Sequence, residues 1–186
     1  MSVALAEIER FYSRAEFRRW CADQSSGRYE RLDGRIVAMA PERGAHLRIK
    51  AAVWLALRRA VAAAGVTCQA LPDGATVETG ESDYEPDALV NFGEPMADDA
   101  VAAPNPVIVV EVLSPGTASS DTGGKLAGYF QVASVNHYLI VHPIKRVITH
   151  HRRTPDGIET RIVVSGSVVM DPPGIEITVD EIYETD

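Results

Sequence analysis

Apolar residues recur at helical spacing between residues 45 and 64, which predicts the most regular helix of the chain. The recurring positions are Leu47, Val53, Trp54, Leu57 and Val61. Gly65 follows directly and supplies the left-handed residue with which many helices end. A shorter helix is predicted from Ser13, whose side chain can cap a helix, to Asp23.

Alternating and continuous apolar runs predict strands around these helices. Residues 28–32 and 35–39 flank Asp33-Gly34, the strongest short signal of a β-hairpin. Residues 107–113 are almost entirely β-branched and apolar, which is typical of a central strand covered on both faces. Shorter strands, separated from that central strand by a surface loop at 93–106, are predicted at residues 66–71, 75–78 and 87–92.

A helix and a second buried strand follow the central strand. Asp121 can cap a helix through about Val132, and residues 137–141 form the next apolar run, which predicts a right-handed βαβ crossover. Residues 146–151 and 158–164 flank a Pro-Asp-Gly turn and predict a hairpin at the sheet edge. We therefore expect one α/β domain over residues 1–186, with a mixed central β-sheet flanked by helices, an N-terminal hairpin and a C-terminal edge hairpin.

Charge is distributed unevenly along the chain, whose formal net charge is -8. Residues 1–65 hold 12 Lys/Arg against 7 Asp/Glu, whereas residues 66–141 hold 11 Asp/Glu and a single cation, Lys125. Concentrated carboxylates suit a divalent-cation site, and the basic first third could face a polyanion, with Arg43, Arg48 and Lys50 as candidate phosphate contacts. A solvated acidic surface is the alternative for most of these carboxylates, and a role in surface solubility is the alternative for the three basic residues.

The sequence lacks the features of a secreted or membrane protein. The N-terminal segment has neither the basic leader nor the cleavage site of a signal peptide. The apolar segment at 51–64 contains Arg58 and Arg59 and falls short of the roughly 20 apolar residues that span a bilayer. We expect a cytoplasmic protein without a membrane partner.

Other common site chemistries find little support in the sequence. His150 and His151 are neighbours on a predicted strand, so they should point to opposite faces and not bind one zinc ion together. Gly123-Gly124 lacks the spacing of a phosphate-binding loop, and there is no Gly-x-Ser-x-Gly elbow.

Two carboxylates stand where they could bind a metal ion. Glu111 is the one charged residue in the strand at 107–113, and a carboxylate removed from water is costly unless it is paired or binds a metal. Asp87 follows Pro86 at the start of an earlier strand. On adjacent strands the two could hold Mg²⁺ or Mn²⁺ through oxygen ligands. The alternatives for Glu111 are an arginine partner or a place at an open strand end, and the alternative for Asp87 is a simple turn.

Lys125 lies on the helix that follows the Glu111 strand. A lysine beside a metal-bound phosphate could orient the attacking water or stabilise the charge that develops on phosphorus. The alternative is a solvated lysine that pairs with Asp121 one turn earlier on the helix.

The order Pro86-Asp87, Glu111 and Lys125 resembles the PD-(D/E)xK nuclease superfamily. The chain is more closely similar to the Uma-type family of bacterial restriction-endonuclease-like proteins, from about residue 28 to residue 183. The residues that carry this closer resemblance are Glu30, Asp33-Gly34, His46, Pro86-Asp87, the segment 111–115 (EVLSP), Asp121, Lys125 and Tyr129. Leu113 occupies the position where the superfamily motif has lysine, and Lys125 matches the migrated lysine of the Uma-type pattern.

The resemblance implies a restriction-endonuclease-like fold and a metal-dependent endonuclease that hydrolyses phosphodiester bonds, with DNA as its nucleic-acid partner. It implies that Asp87 and Glu111, with the carbonyl of Val112, hold Mg²⁺ or Mn²⁺, and that Lys125 assists the reaction. Glu30 and His46 are implied as further site residues. On the residues alone, Glu30 could equally be an outward carboxylate and His46 an exposed histidine.

Two other functions stay open at this point. A non-catalytic nucleic-acid or metal-binding module would keep the nuclease fold without cleaving, which the displaced lysine and the net acidity favour. A hydrolase of a small phosphorylated molecule is the third. Double-strand cleavage by a domain with one site would favour a homodimer.

Overall fold

The computed structural model describes residues 10–114 and 122–184. The helices of these segments are α1 (Arg14–Ala22), α2 (Gly44–Ala64), α3 (Thr122–Gln131) and α4 (Val179–Tyr183). The strands are β1 (Tyr29–Leu32), β2 (Arg35–Ala38), β3 (Cys68–Pro72), β4 (Val77–Glu78), β5 (Asp83–Tyr84), β6 (Ala88–Phe92), β7 (Pro106–Val112), β8 (His137–His142), β9 (Val147–Thr154), β10 (Gly157–Val163), β11 (Ser167–Met170) and β12 (Ile175–Thr178).

A six-stranded mixed sheet forms the centre of the molecule, with the strand order β10-β9-β8-β7-β6-β3. Only β7 and β8 of its neighbouring strands run parallel, and α3 lies between them in the chain. The predicted mixed sheet, the βαβ order and the β9–β10 edge hairpin are therefore confirmed. The predicted cap of α3, Asp121, lies outside the described residues.

The two faces of the central strand are both covered, as its continuous apolar sequence predicts. On one face Ile108 and Val110 pack with α2, whose Val53 and Leu57 are completely buried. Val109 packs on the other face with a cluster that includes Tyr129 of α3. Because β7 is enclosed on both sides, a carboxylate at its end is removed from most of the solvent.

The predicted N-terminal hairpin is present but belongs to a second sheet, with the order β2-β1-β5-β4. Asp33 and Gly34 both have positive φ, 47° and 77°, as a tight hairpin turn requires. The short strand β5 was not predicted from the acidic stretch at 81–86 that contains it. It is held there because Asp83 accepts hydrogen bonds from Arg31 and Arg14, which stabilise a buried carboxylate.

The C-terminal segment after β10 forms a hairpin and a helix for which the sequence analysis made no prediction. β11 and β12 pair antiparallel, and α4 follows directly with Thr178 and Glu181 in a capping box. Val168, Ile177 and Ile182 of this segment are buried against α2. The segment therefore covers the helix that carries one side of the candidate site. Within the described residues no helix is long and apolar enough to cross a membrane.

His150 and His151 point to opposite faces of β9, as predicted. His150 Nε2 lies 2.9 Å from Nδ1 of His137 on β8, and both residues are buried, whereas His151 Nδ1 contacts Thr160 Oγ1. Burial lowers the pKa of His137 and the pKa of His150 to about 4 each. Both rings are therefore neutral in the folded protein at neutral pH.

Because of this histidine pair, we expect the free energy of unfolding to fall at mildly acidic pH. In the unfolded chain both histidines take up protons below about pH 6.5, but in the folded chain they resist protonation until about pH 4. Their contribution is complete above pH 6.5 and is lost as the pH falls through this window. Between pH 6.5 and 5 we expect a loss of about 2 kcal/mol for each histidine that stays neutral.

The measurement is denaturant unfolding at pH 7.5 and at pH 5, with the double variant His137→Gln/His150→Gln as the control. The control removes both titrating groups, so its stability should change less between the two pH values. An equal pH dependence of the two proteins would show that the histidine pair does not contribute.

Candidate active site

A cleft of about 360 Å³ opens where β6 begins and β7 ends. Its wall combines carboxylates with two cationic side chains and one histidine. The residues that line it include Glu30, Glu42, Arg43, His46, Glu85, Asp87, Glu111, Val112, Ser114 and Lys125. All five residues predicted as site side chains, together with Val112, therefore lie in one cleft.

Asp87 and Glu111 are brought together by the register of β6 and β7. Ala88 pairs with Val110 in this antiparallel ladder, so Asp87, one residue before, and Glu111, one residue after, lie at neighbouring strand positions. The Asp87 side chain is 8% exposed, and its Oδ2 accepts the Val112 N–H at 2.6 Å. The backbone of β7 thus holds the Asp87 carboxylate in place.

Opposite influences act on the two carboxylates. Burial raises the pKa of Asp87, but the neighbouring His46, the charge of Lys50 and the hydrogen bond from the Val112 N–H outweigh it, and the net pKa is lowered. Burial raises the pKa of Glu111 to about 7, and Asp87 and Glu30 add to this rise while Lys125 opposes it. Asp87 is therefore ionised at neutral pH, whereas Glu111 is poised to exchange a proton or a cation.

Tyr129 of α3 fixes the Glu111 carboxylate. Its hydroxyl donates a hydrogen bond to Glu111 Oε1 at 2.6 Å, and its ring is fully buried between Tyr84 and Tyr138, with centroid distances of 4.9 and 5.0 Å. Burial raises the pKa of Tyr129 well above its ordinary value, so the hydroxyl keeps the proton that it donates.

Lys125 reaches the cleft from the first turn of α3. Its Nζ lies 3.0 Å from Glu111 Oε1 and 2.9 Å from Glu30 Oε1, and its side chain is 12% exposed. The alternative of a solvated lysine is therefore wrong. Burial lowers the pKa of Lys125, but Glu111 and Glu30 raise it by more, which keeps the ammonium charged.

Glu30 comes to the cleft from β1 of the second sheet. It is buried, and its Oε1 accepts the Glu85 backbone N–H at 2.8 Å as well as the Lys125 ammonium. The alternative of an outward-pointing carboxylate is therefore wrong. Glu30 joins the small sheet to the central one through Lys125.

His46 lies near the start of α2 and faces the same strand ends. Its Nε2 donates to the Val112 carbonyl at 2.8 Å and lies 3.6 Å from Asp87 Oδ2. The neighbouring Asp87 carboxylate raises the pKa of His46, against the effect of burial. The alternative of an exposed, uninvolved histidine is therefore wrong.

The expectation that Lys50 is free to hold phosphate is wrong. Its side chain is 7% exposed, and its Nζ lies 2.5 Å from Glu42, 2.8 Å from Asp73 and 3.0 Å from Asp87. This ammonium is enclosed by carboxylates, and a phosphate would have to displace them. Arg43 lines the cleft and is exposed, as is Arg48 farther along α2.

Sequence reasoning missed Glu42 and Asp73 and misread Lys50. One signal was available in the helical spacing. Lys50 follows His46 by four residues, so the two side chains lie on the same face of α2 as the buried Ile49 and Val53. A lysine on the apolar side of an amphipathic helix needs carboxylate partners. No sequence signal pairs it with Asp73 in particular, because that contact depends on the turn after β3.

The donor set of the cleft fits a divalent cation. Glu30, Asp87, Glu111 and Val112 all line the cleft, and oxygen ligands are those that Mg²⁺ and Mn²⁺ prefer. Among the described residues, the group of three side chains whose ligand atoms lie within 4.8 Å of one another is Glu42, His46 and Asp87, which shares Asp87 with the predicted metal ligands but does not include Glu111.

Gly128 permits the close approach of α3 that brings Lys125 into the cleft. A Cβ at this position would overlap the ring of Tyr84, which is itself buried. We expect Gly128→Ala to push α3 away from β5 and to lower any Lys125-dependent activity by at least about tenfold, since small misplacements of site groups are costly. Gly123→Ala on the same helix has open space around its Cβ and is the matched control. Equal activity of the two variants would contradict this role of Gly128.

Comparisons with known proteins agree with this fold. No curated protein matches the sequence significantly. The structure is similar to a crystal structure of a "putative nuclease belonging to DUF820" from Anabaena variabilis, with a TM-score of 0.70 and 15% sequence identity, over 91% of this chain and 96% of that one. At this identity the likeness shows a common fold.

The family assignment rests on the sequence match. Residues 14–180 match the family described as "Uma2: Putative restriction endonuclease". This match covers most of the chain and confirms the resemblance recognised from the ordered motif residues. The chain that builds this carboxylate cleft belongs to the Uma2 family of putative restriction endonucleases.

Proposed function

We propose that this protein is a metal-dependent endonuclease that hydrolyses phosphodiester bonds in DNA. The observation that carries the proposal is the placement of Asp87 and Glu111 at neighbouring positions of two paired strands, with the Lys125 ammonium 3.0 Å from Glu111. An arrangement with two carboxylates and one fixed cation costs folding energy. It is suited to holding a metal ion and a phosphate at one point.

Each side chain has a distinct part in this proposal. Asp87 and Glu111, with the Val112 carbonyl, would hold Mg²⁺ or Mn²⁺. When bound, the ion would lower the pKa of a coordinated water molecule and neutralise phosphate charge. Lys125 would direct the attacking water or stabilise the charge that develops on the phosphoryl oxygens. His46 holds the Val112 carbonyl, and Tyr129 holds the Glu111 carboxylate.

In the reaction, the water oxygen would form a bond to phosphorus while the bond from phosphorus to one deoxyribose oxygen breaks. The proton of the water passes to solvent or to a carboxylate of the cleft, and the departing oxygen takes up a proton. Arg43 at the cleft rim is our candidate contact for the phosphate backbone. Cleavage of both strands of a duplex in one binding event would favour two copies of the site.

The test is an assay of purified protein with Mn²⁺ or Mg²⁺ on supercoiled plasmid, single-stranded DNA and RNA. We expect cleavage of DNA that depends on the cation and is stopped by a chelator. Calorimetric titration with Mn²⁺ measures metal binding separately. Protein that binds neither the cation nor DNA would overturn the proposal.

A non-catalytic binding module is the second candidate, because one observation favours it. The carboxylates of the cleft already have cationic partners within the chain, with Lys50 on Asp87 and Lys125 on Glu111 and Glu30. A charge-balanced cleft can persist without a metal ion. Wild-type protein that binds DNA or Mn²⁺ but cleaves none of the three substrates would support this module over the endonuclease.

A further inference from the structure

The outer edge of β10 is the largest unpartnered backbone edge of the central sheet. β10 is the last strand on one side of that sheet and pairs with β9 alone among the described residues. Its residues 157–162 are all exposed, and the strand contains no proline. A long strand edge that no proline interrupts offers its outward N–H and C=O groups to another strand.

The side chains of β10 add an apolar stripe to this edge. Ile158 is 43% exposed, Ile162 is 71% exposed and Val164, just beyond the strand, is 58% exposed. Ile158 and Ile162 are four residues apart and therefore lie on the same face of the strand. Exposed branched aliphatic residues on an open edge favour association.

The sequence of the strand is complementary to itself. When two copies of β10 run antiparallel about Thr160, Glu159 of each lies opposite Arg161 of the partner subunit, and Ile158 lies opposite Ile162 of the partner subunit. Both pairings occur twice because of the two-fold symmetry. Opposite charges and aliphatic pairs across strands are both stabilising.

Neighbouring registers lack this match. A shift of the pairing by one residue would place side chains of opposite faces against each other, which the pleat forbids. Centring the pair on Arg161 would put the two Arg161 side chains opposite each other, and centring it on Glu159 would do the same for the two Glu159 side chains. Charge therefore selects the register about Thr160.

We propose that β10 is a dimerisation edge, which pairs antiparallel about Thr160 with β10 of a second copy of this chain. The pairing joins the two six-stranded sheets into one continuous sheet. The proposal rests on β10 alone and does not depend on the activity of the cleft.

The experiment measures association by sedimentation velocity with the full chain over a range of concentrations. Wild type should form a dimer. Glu159→Arg should place arginines opposite arginines, and Arg161→Glu should place glutamates opposite glutamates. The dimer dissociation constant of each variant should therefore rise at least about tenfold. An equal mixture of these two variants restores both opposite-charge pairs and should form a heterodimer.

Glu159 also contacts Arg152 within the chain, and Arg152→Ala is the matched control for that contact. This variant removes the internal pair but leaves the proposed pairing intact, so it should remain dimeric. Circular dichroism checks that each variant is folded. The proposal is overturned by a monomeric wild type at about 100 µM, by charge variants that dimerise as wild type does, or by a mixture of the two variants that stays monomeric.

Discussion

Replacing Glu111 with glutamine is expected to reduce cation-dependent DNA cleavage on the order of 10³-fold. The substitution keeps the size of the side chain and removes a negative charge at the end of β7. Lys125 and Tyr129 would then face a neutral amide in place of the carboxylate that they contact at 3.0 and 2.6 Å. Because Glu111 is a proposed metal ligand, Mn²⁺ affinity measured by calorimetry should fall together with activity.

Tyr129→Phe is the matched variant for this prediction. It removes the hydroxyl that positions Glu111 but leaves the carboxylate and the buried ring in place. The expected loss of activity is about 10- to 100-fold, typical for a group that orients a metal ligand. Full activity in Glu111→Gln would show that the proposed mechanism is wrong, even if the protein proves to be a nuclease.

The architecture was predictable where local signals and global packing agree. The helix cap at Ser13, the turn at Asp33-Gly34 and the helix end at Gly65 are all present in the structure. These signals act over a few residues, so the sequence alone contains their physical cause. The continuous apolar run of β7 likewise specified a strand that is buried on both faces.

The strand β5, which completes the second sheet, was not predictable in the same way. β5 is only two residues long, and Asp83 within it favours loops by its intrinsic preference. It forms a strand because Arg31 and Arg14, 52 and 69 residues away in the chain, supply the partners of its carboxylate. Such long-range pairing leaves no periodicity in the local sequence.

The carboxylates of the cleft were more predictable from the sequence than its lysines. Glu111 stood out because a lone carboxylate in an apolar strand needs a partner, and the structure supplies Lys125 and Tyr129. Lys50 was misread because a lysine among arginines on a helix suggests a basic surface. Its burial depends on Asp73 and Glu42, which approach it only in the folded chain.

Replacing Lys125 with methionine is expected to separate catalysis from metal binding. The substitution preserves most of the apolar stem and removes the ammonium that lies between Glu30 and Glu111. Activity should fall about 10²- to 10³-fold, because a fixed cation at the phosphate contributes several kcal/mol to the transition state. Mn²⁺ affinity should be kept or increased, since the carboxylates lose their competing cation.

The same variant should be less stable than wild type without metal and should recover with Mn²⁺. Glu30 and Glu111 would be left as buried carboxylates of like charge, which is costly until a cation replaces the ammonium. Thermal unfolding with and without Mn²⁺ measures this recovery, and Lys145→Met, at an exposed turn, is the control. If Lys125→Met loses metal binding and activity in parallel, as Glu111→Gln is expected to do, Lys125 acts by holding the metal ligands in place. If it keeps both, the lysine serves only to balance the charge of the cleft.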